Sequence, residues 1–250
     1  MTPRAEAYLA RIGLDGPVPL TVEGLERLQR AHLTYVSFDS LDVFAGRKVR
    51  TDIDWSIPKI VDRQRGGWCY ELNGAFAWLL GELGFKVRQL GATVLLAPGA
   101  MEVAHLALEV QLERPYLVDV GFGDSFIRPL PLDEPGPHDG GSGSFSFQFA
   151  GPVTSLIFEG PDGPEPQYRF GPGAYGTDDF IEVSEQKRTD PNQKWRQKRF
   201  ATRLLDGGPD RVTLLEDRLK LRRDGEWSER PIESSDEWER LLRQWFDLAP

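Results

Sequence analysis

The segment that decides the fold of this chain reads Arg65-Gly66-Gly67-Trp68-Cys69-Tyr70-Glu71-Leu72-Asn73, and it holds the only cysteine among 250 residues. Apolar residues then recur at helical spacing as far as Leu83, and Gly84 follows where a helix would end. The two glycines suit a tight turn before that helix. Cys69 is therefore predicted in the first helical turn, where free backbone N–H groups and the helix dipole favour a thiolate.

A nucleophilic cysteine needs a base and an acid that are close in space but distant in sequence. A single cysteine is most often only a small buried apolar residue, so the three histidines decide how far the hypothesis extends. His32 is predicted on an ordinary helix face and His138 in a solvated loop. His105 lies in the strand-like run 103–112, on the face opposite the alternating apolar residues. An exposed strand histidine fits this pattern equally well.

The candidate acid is Asp119, within the apolar run 116–123. An aspartate in the middle of an apolar strand is unfavourable unless it is paired or hydrogen-bonded. A two-residue hairpin closed by Arg114 and Pro115 would place Asp119 opposite Val110, on the wrong face for His105. Contact between the two side chains therefore requires a longer turn, a bulge or strong twist.

The composition limits the class of partner. The net charge of −9 argues against nucleic acid or an anionic membrane. The chain contains no apolar run of membrane-spanning length, and residues 1–6 lack a signal pattern. One cysteine cannot form an internal disulfide, which fits a cytoplasmic protein. No metal site is predicted.

The pattern of apolar residues changes near residue 85. Before it, helices are predicted near 4–11, 21–33, 54–63 and 69–83. After it, short apolar runs at 89–96, 103–112, 116–122, 144–149 and 154–158 are typical of a barrel or sandwich. Ser234 to Glu237 form a capping box before an apolar stripe, which predicts a C-terminal helix.

The segment 65–73, a strand histidine and Val118-Asp119-Val120-Gly121-Phe122-Gly123, in this order and spacing, resemble the arylamine N-acetyltransferase family. The resemblance begins near Tyr8 and continues through Gly123. It implies an α+β fold related to cysteine proteases and transglutaminases. The expected domains are an N-terminal helical domain with the nucleophile (1–84), a central β-barrel with the histidine and aspartate (85–185), and a helical connector with a C-terminal α/β lid (186–250).

The resemblance also implies roles for individual residues. It makes Cys69, His105 and Asp119 the catalytic triad. It expects Asp39 to pair with Arg65 and brace the cysteine turn. The residues expected to contact substrate are Phe38, Trp68, Tyr70, Phe122 and Gly123. For Phe38 and Phe122, plain core packing is an equally good interpretation.

The implied activity moves an acetyl or other short acyl group from acyl-CoA to an arylamine or arylhydrazine, by a ping-pong mechanism through acyl-Cys69. Acetyl-CoA is then a co-substrate, and no permanently bound cofactor is expected. Residues 186–203 carry seven basic side chains and one acid. Such a run is usually a solvated face, but here Lys194, Arg196 and Lys198 are expected to hold the donor phosphates or to meet an acidic acyl carrier protein.

Two alternatives remain open at this stage. Where the family often reads Ser-Thr-x-Pro-x-Ser-x-Phe, this chain keeps Thr189 and Pro191 but neither serine. Together with the basic run and a C-terminal lid expected to be small, this favours an amide synthase that releases a carrier-bound polyketide or acyl chain by aryl-amine attack. The other alternative is a catalytically inactive binding protein of the same fold.

Overall fold

The computed structural model describes residues 1–96 and 101–250. Helices form where the apolar spacing predicts them, and side-chain caps fix several of their starts: Thr21 accepts from the Gly24 N–H, and Ser234 accepts from the Glu237 N–H. A short helix after Ser40 and a 3-10 turn at Thr177–Phe180 were not predicted. The helices are α1 (Pro3–Arg11), α2 (Val22–Tyr35), α3 (Leu41–Phe44), α4 (Ile53–Val61), α5 (Cys69–Glu82), α6 (Ile181–Thr189), α7 (Lys194–Gln197) and α8 (Ser235–Phe246).

The strands form two antiparallel sheets. The larger sheet has the order β5-β4-β3-β2-β9-β8-β7-β6 and curves into a nearly closed barrel; the smaller has the order β1-β10-β11-β12-β13. The strands are β1 (Phe38–Asp39), β2 (Lys86–Val94), β3 (His105–Gln111), β4 (Pro115–Val118), β5 (Leu130–Pro131), β6 (His138–Asp139), β7 (Ser144–Ala150), β8 (Val153–Gly160), β9 (Gly163–Phe170), β10 (Ala201–Leu204), β11 (Arg211–Leu214), β12 (Arg218–Arg223) and β13 (Glu226–Pro231). This mixed architecture confirms the predicted fold class. The domain boundaries at 84/85 and 185/186 stay predictions.

Helix α5 lies at the centre of the fold. Unlike the amphipathic surface helices, it is apolar nearly all round, and 11 of its 14 residues are buried. It packs on α1 and α4 on one side and on β2 and β3 of the barrel on the other. Because the helix is enclosed in this way, the position and direction of its first residue, Cys69, are fixed by the core.

Strand β1 connects the start of α5 to the smaller sheet. Phe38 bridges to Gly67 on one side and pairs with Thr202 of β10 on the other. The Asp39 N–H donates to the Gly67 carbonyl at 2.8 Å, and the Gly67 N–H donates to the Ser37 carbonyl at 3.2 Å. The segment before the cysteine is therefore held by main-chain hydrogen bonds as well as by the core.

The hairpin between β3 and β4 has a longer turn than the two-residue alternative. Gln111 pairs with Pro115 and Val110 pairs with Tyr116, so residues 112–114 form a three-residue connection. Continued by one position, this register places Asp119 opposite Ala107, on the same face as His105. The prediction of a strand over 116–122 was wrong at its end, because β4 stops at Val118 and Asp119 follows it.

Candidate active site

Cys69 is the first residue of α5 and is 7% exposed. The turn before it needs glycines because the chain passes directly against residues 37–39. A Cβ on Gly66 would lie 2.1 Å from the Ser37 carbonyl oxygen and 2.3 Å from Asp39 Oδ2. The cysteine thus has the predicted position, at a helix start where backbone N–H groups are available to an anion.

His105 and Asp119 form a buried pair. His105 Nε2 lies 2.6 Å from Asp119 Oδ2, and the two residues are 2% and 3% exposed. The ring also packs against Phe122 and Tyr168, each with a centroid separation of 5.2 Å. His105 is therefore enclosed on a face of β3 that the alternating pattern left open to solvent.

The surroundings of His105 favour its protonated form. Burial acts against the charge, but the charge and hydrogen bond of Asp119, with a further contribution from Cys69, outweigh it and raise the pKa of His105 to about 9. Nearby, burial and the Asp119 charge raise the pKa of Tyr168, which keeps that phenol neutral. An imidazolium beside a cysteine is the arrangement that produces a reactive thiolate.

Asn73 is a site residue that the sequence analysis missed. Its Nδ2 donates to Asp119 Oδ1 at 2.8 Å and to the Leu106 carbonyl at 2.6 Å, and its Oδ1 accepts from the Val120 N–H at 2.9 Å. It is fully buried and lies one helical turn after Cys69. The signal was present, because a fully polar side chain four residues after the cysteine, inside an apolar helix, needs a buried partner.

The support of the cysteine turn differs from the prediction. Arg65 does not pair with Asp39. Its Nη2 lies 3.2 Å from Asp42 Oδ1, and its Nη1 donates to the Ala249 carbonyl at 3.2 Å. The Asp39 carboxylate instead accepts from the Ser37 hydroxyl at 2.8 Å and from the Leu41 N–H at 3.2 Å. The donors to the Asp39 carboxylate are therefore local, each two residues away in the sequence.

Lys59 is the cation at the centre of this support. Its Nζ lies 2.8 Å from both Asp42 Oδ2 and Glu71 Oε1, and it is 2% exposed. Burial disfavours the ammonium, but the charges of Glu71, Asp42 and Asp39 outweigh it and raise the pKa of Lys59. Glu71 also accepts from the Trp68 N–H at 3.4 Å. The first turn of α5 is thus joined to α3 and α4 through a buried charge cluster.

A cavity of about 400 Å³ opens beside Phe122, a neighbour of His105. Phe38, Phe122 and Gly123, three of the predicted substrate contacts, line it together with residues of α7 and the smaller sheet. Gly123 has a φ of +103°, and a Cβ there would lie 3.3 Å from the Phe38 ring. Phe122 lines the cavity on one side and contacts the His105 ring on the other, so a single aromatic side chain separates the cavity from His105.

Trp68 and Tyr70 are placed differently. Both are buried, with Tyr70 packed between Trp68 and Phe180, and neither lines this cavity. The Tyr70 hydroxyl donates to the Ala104 carbonyl at 2.8 Å. The geometry therefore gives these two side chains a packing role, and their predicted contact with substrate has no support from the cavity.

The three predicted phosphate-binding residues separate into two groups. Lys194 and Lys198 are exposed and line the cavity. Arg196 does not line it, because its Nη1 donates to the carbonyls of Val43 at 2.6 Å and Phe44 at 3.2 Å. Arg196 thus fastens α7 to α3, and its predicted contact with the donor phosphates has no support from the cavity.

Within residues 1–96 and 101–250, no group of three or more histidine, cysteine or acidic side chains is arranged to hold a metal ion. No helix in the same part of the chain is long and apolar enough to cross a membrane.

Known proteins resemble this chain in both sequence and structure. The sequence profile of the N-acetyltransferase family matches residues 21–249. The arylamine N-acetyltransferase of Escherichia coli K12 is 38% identical over 136 residues, which are 53% of this chain and 48% of that enzyme. The arylamine N-acetyltransferase / N-hydroxyarylamine O-acetyltransferase of Salmonella typhimurium is 30% identical over 213 residues, or 83% of this chain and 76% of the relative. The match thus spans about half the length of several curated relatives and three quarters of another.

The solved structures agree over a longer part of the chain. The Salmonella typhimurium arylamine N-acetyltransferase superposes with a TM-score of 0.94 at 27% identity, covering 99% of this chain and 92% of that one. The Mycobacterium marinum enzyme, solved in complex with CoA, superposes with a TM-score of 0.89 at 28% identity, covering 96% and 91%. With the profile match over residues 21–249, these similarities show that the chain belongs to the arylamine N-acetyltransferase family.

Proposed function

We propose that this protein transfers an acetyl or other short acyl group from acyl-CoA to an arylamine or arylhydrazine, with Cys69 as the nucleophile. The observation that carries the proposal is the buried His105–Asp119 pair, joined at 2.6 Å, beside a cysteine at a helix start. An imidazolium and a helix N-terminus both stabilise a thiolate. Family membership supports acyl transfer as the reaction class.

In the first half-reaction, the Cys69 thiolate attacks the thioester carbonyl of the donor. The carbon–sulfur bond to CoA breaks, CoA leaves as a thiol with the proton from His105, and acyl-Cys69 remains. Asp119 holds the ring through Nε2 and compensates its charge. The backbone N–H of Tyr70, in the first turn of α5, is the proposed donor to the carbonyl oxygen as negative charge develops there.

In the second half-reaction, the amine attacks the acyl-Cys69 carbonyl while His105 takes its proton. The bond to sulfur then breaks, which releases the amide and restores the thiolate–imidazolium pair. The two half-reactions share one covalent intermediate, so donor and acceptor occupy the site in turn. Because an amide is more stable than a thioester, the second half-reaction makes the overall transfer thermodynamically favourable.

The cavity lined by Phe38, Phe122 and Gly123 supports a donor and acceptor site at this position. Lys194 and Lys198 lie on its wall, where their ammonium groups suit the phosphates of CoA. The relative from Mycobacterium marinum has been solved with CoA, which supports CoA as the carrier of the acyl group here.

Intact-protein mass spectrometry tests the proposal. Mixing the protein with acetyl-CoA in the absence of amine is expected to add one acetyl group, and adding an arylamine is expected to remove it. The Cys69→Ala variant, which leaves the rest of the site unchanged, is expected to show no adduct. Acetylation that persists in Cys69→Ala would exclude Cys69 as the acyl carrier.

The relatives and solved structures named above are arylamine N-acetyltransferases, so they support neither of the two alternatives. The same experiment separates them from the proposal. If Cys69 forms no adduct but is alkylated rapidly by iodoacetamide, the thiolate is reactive and a carrier-bound acyl donor is the next one to test. If Cys69 forms no adduct and is alkylated slowly, the site is inactive.

A further inference from the structure

Lys187, on α6, places its ammonium between the segments that carry the nucleophile and the base. Its Nζ donates to the Ala104 carbonyl at 2.5 Å, and Ala104 directly precedes His105. The same Nζ lies 5.7 Å from the centre of the Tyr70 ring, and Tyr70 directly follows Cys69. Ala104 and Tyr70 are both buried, so the charged group lies against the interior of the site.

No acidic side chain among the described residues forms an ion pair with Lys187, and residues 97–100 contain no acid. Lys59, on the other side of α5, shows the usual arrangement, with two carboxylates at 2.8 Å. An ammonium in a partly buried position is costly without an opposing charge. The Ala104 carbonyl and the Tyr70 ring supply only dipoles.

We propose that Lys187 is a second cation at the nucleophile, and that its ammonium and the His105 imidazolium together stabilise the Cys69 thiolate. This inference rests on the proposed role of Cys69. Lys187 would act on the sulfur electrostatically and would not accept the thiol proton. Its role is therefore to stabilise the charge of the thiolate, as a positioning residue and not as a base. The basic run 186–203 would then have two functions: Lys187 stabilises the thiolate, and Lys194 and Lys198 line the cavity.

The other charged and titratable groups around the pair come from several elements. His105, with its partner Asp119, approaches Cys69 from the barrel. Tyr70, on α5, is close to both Cys69 and Lys187, and Lys194 approaches Lys187 from α7. Burial lowers the pKa of Lys187, and the charge of Cys69 opposes that change. Lys194 lowers it further, so the thiolate is the group in this set that favours the charged lysine.

The pH dependence of Cys69 alkylation by iodoacetamide tests the inference. In Lys187→Met, the pH of half-maximal alkylation is expected to move up by about one unit, since a nearby opposite charge favours an ionised group by about that amount or more. At pH 6 the rate is expected to fall several-fold. Lys187→Arg, which retains the charge, is expected to restore the profile to within about half a unit.

Two further variants separate charge from structure. Lys187→Gln retains a hydrogen-bond donor for the Ala104 carbonyl but carries no charge. Its pH of half-maximal alkylation is therefore expected to rise as in Lys187→Met, and it replaces that variant if the methionine protein folds poorly. Arg188→Gln removes a charge from the same helix at an arginine that pairs with Glu185, and it is expected to match the wild type. A wild-type profile in folded Lys187→Gln would overturn the inference. Slow alkylation of the wild-type protein itself would instead contradict the proposed nucleophile.

Discussion

The two sides of Cys69 are built differently. On the interior side, two groups of polar residues are at most 3% exposed and are held by short hydrogen bonds and ion pairs: His105 with Asp119 and Asn73, and Lys59 with Glu71. On the cavity side, Lys194 and Lys198 are exposed, and neither forms an ion pair with a described residue. The interior side holds the reacting groups in one geometry, whereas the cavity side leaves its charges available to a ligand.

This difference predicts how each side responds to substitution. A buried polar group that loses its partner retains the full cost of its desolvation, and a misplaced reacting group loses most of its rate. An exposed lysine that faces a ligand contributes mainly long-range attraction, which is screened by salt. The effects on catalysis and stability should therefore be large on the interior side and small on the cavity side.

The largest effect is expected for Asp119→Asn. This variant keeps the shape of the side chain but removes the charge that orients His105, and kcat/KM is expected to fall about 10³- to 10⁴-fold. The exposed Asp139→Asn is the matched control and is expected to retain nearly full activity. A loss below tenfold for Asp119→Asn, measured by steady-state acetyl transfer, would show that the buried pair does not set the rate.

The same variant has a pH signature. Asp119 is one cause of the raised pKa of His105, which is about 9, so its removal lowers that pKa. A raised histidine pKa stabilises the folded protein below the unfolded value near 6.5, and this contribution is lost as the pH rises through about 9. The wild type is therefore expected to lose stability between these pH values relative to Asp119→Asn. Urea unfolding at pH 6 and pH 9 measures the difference.

A smaller effect, on stability, is expected for Lys59→Met. The variant leaves Glu71 and Asp42 without their buried cation, and breaking such a pair costs about 3–5 kcal/mol. Arg47 contacts the same Asp42 at 3.1 Å but is 49% exposed, so Arg47→Met is the matched control and is expected to cost less than about 1 kcal/mol. Equal costs in urea unfolding would show that burial of the cluster contributes nothing.

On the interior side, the sequence predicted the features that a local motif determines. The turn glycines and the helix start at Cys69 follow from residues 65–73, because local spacing determines them. Residues 103–112 place His105 on a strand, but their pattern does not distinguish a buried histidine from an exposed one. The sequence did not determine on which face of the sheet Asp119 lies, since this depends on whether the β3–β4 turn has two residues or three. Asn73 was not predicted as a site residue, although a polar side chain inside an apolar helix indicates a buried partner. The Arg65–Asp39 pair was wrong because Asp42, Ser37 and the Leu41 N–H compete for the same groups.

The cavity side was harder to predict from the sequence, because basic residues two positions apart, within α7 and just after it, point in different directions. Lys194 and Lys198 are four positions apart and both reach the cavity, while Arg196 lies between them and turns to the carbonyls of α3. A count of basic residues cannot make this distinction. It needs the helix phase and the position of the neighbouring carbonyl groups.

The smallest effect is expected for the double variant Lys194→Gln, Lys198→Gln. The proposal places these two exposed charges against the donor phosphates, where they should contribute to binding and not to chemistry. The KM for acetyl-CoA is therefore expected to rise about threefold to tenfold with kcat nearly unchanged. The increase should shrink in high salt, because screening already weakens these charges in the wild type. Arg196→Gln is the control: it is expected to lower the stability of the fold without this salt-dependent change in KM. If the double variant instead lowered kcat and left KM unchanged, the two lysines would belong with the reacting groups, and the contrast between the two sides of Cys69 would fail.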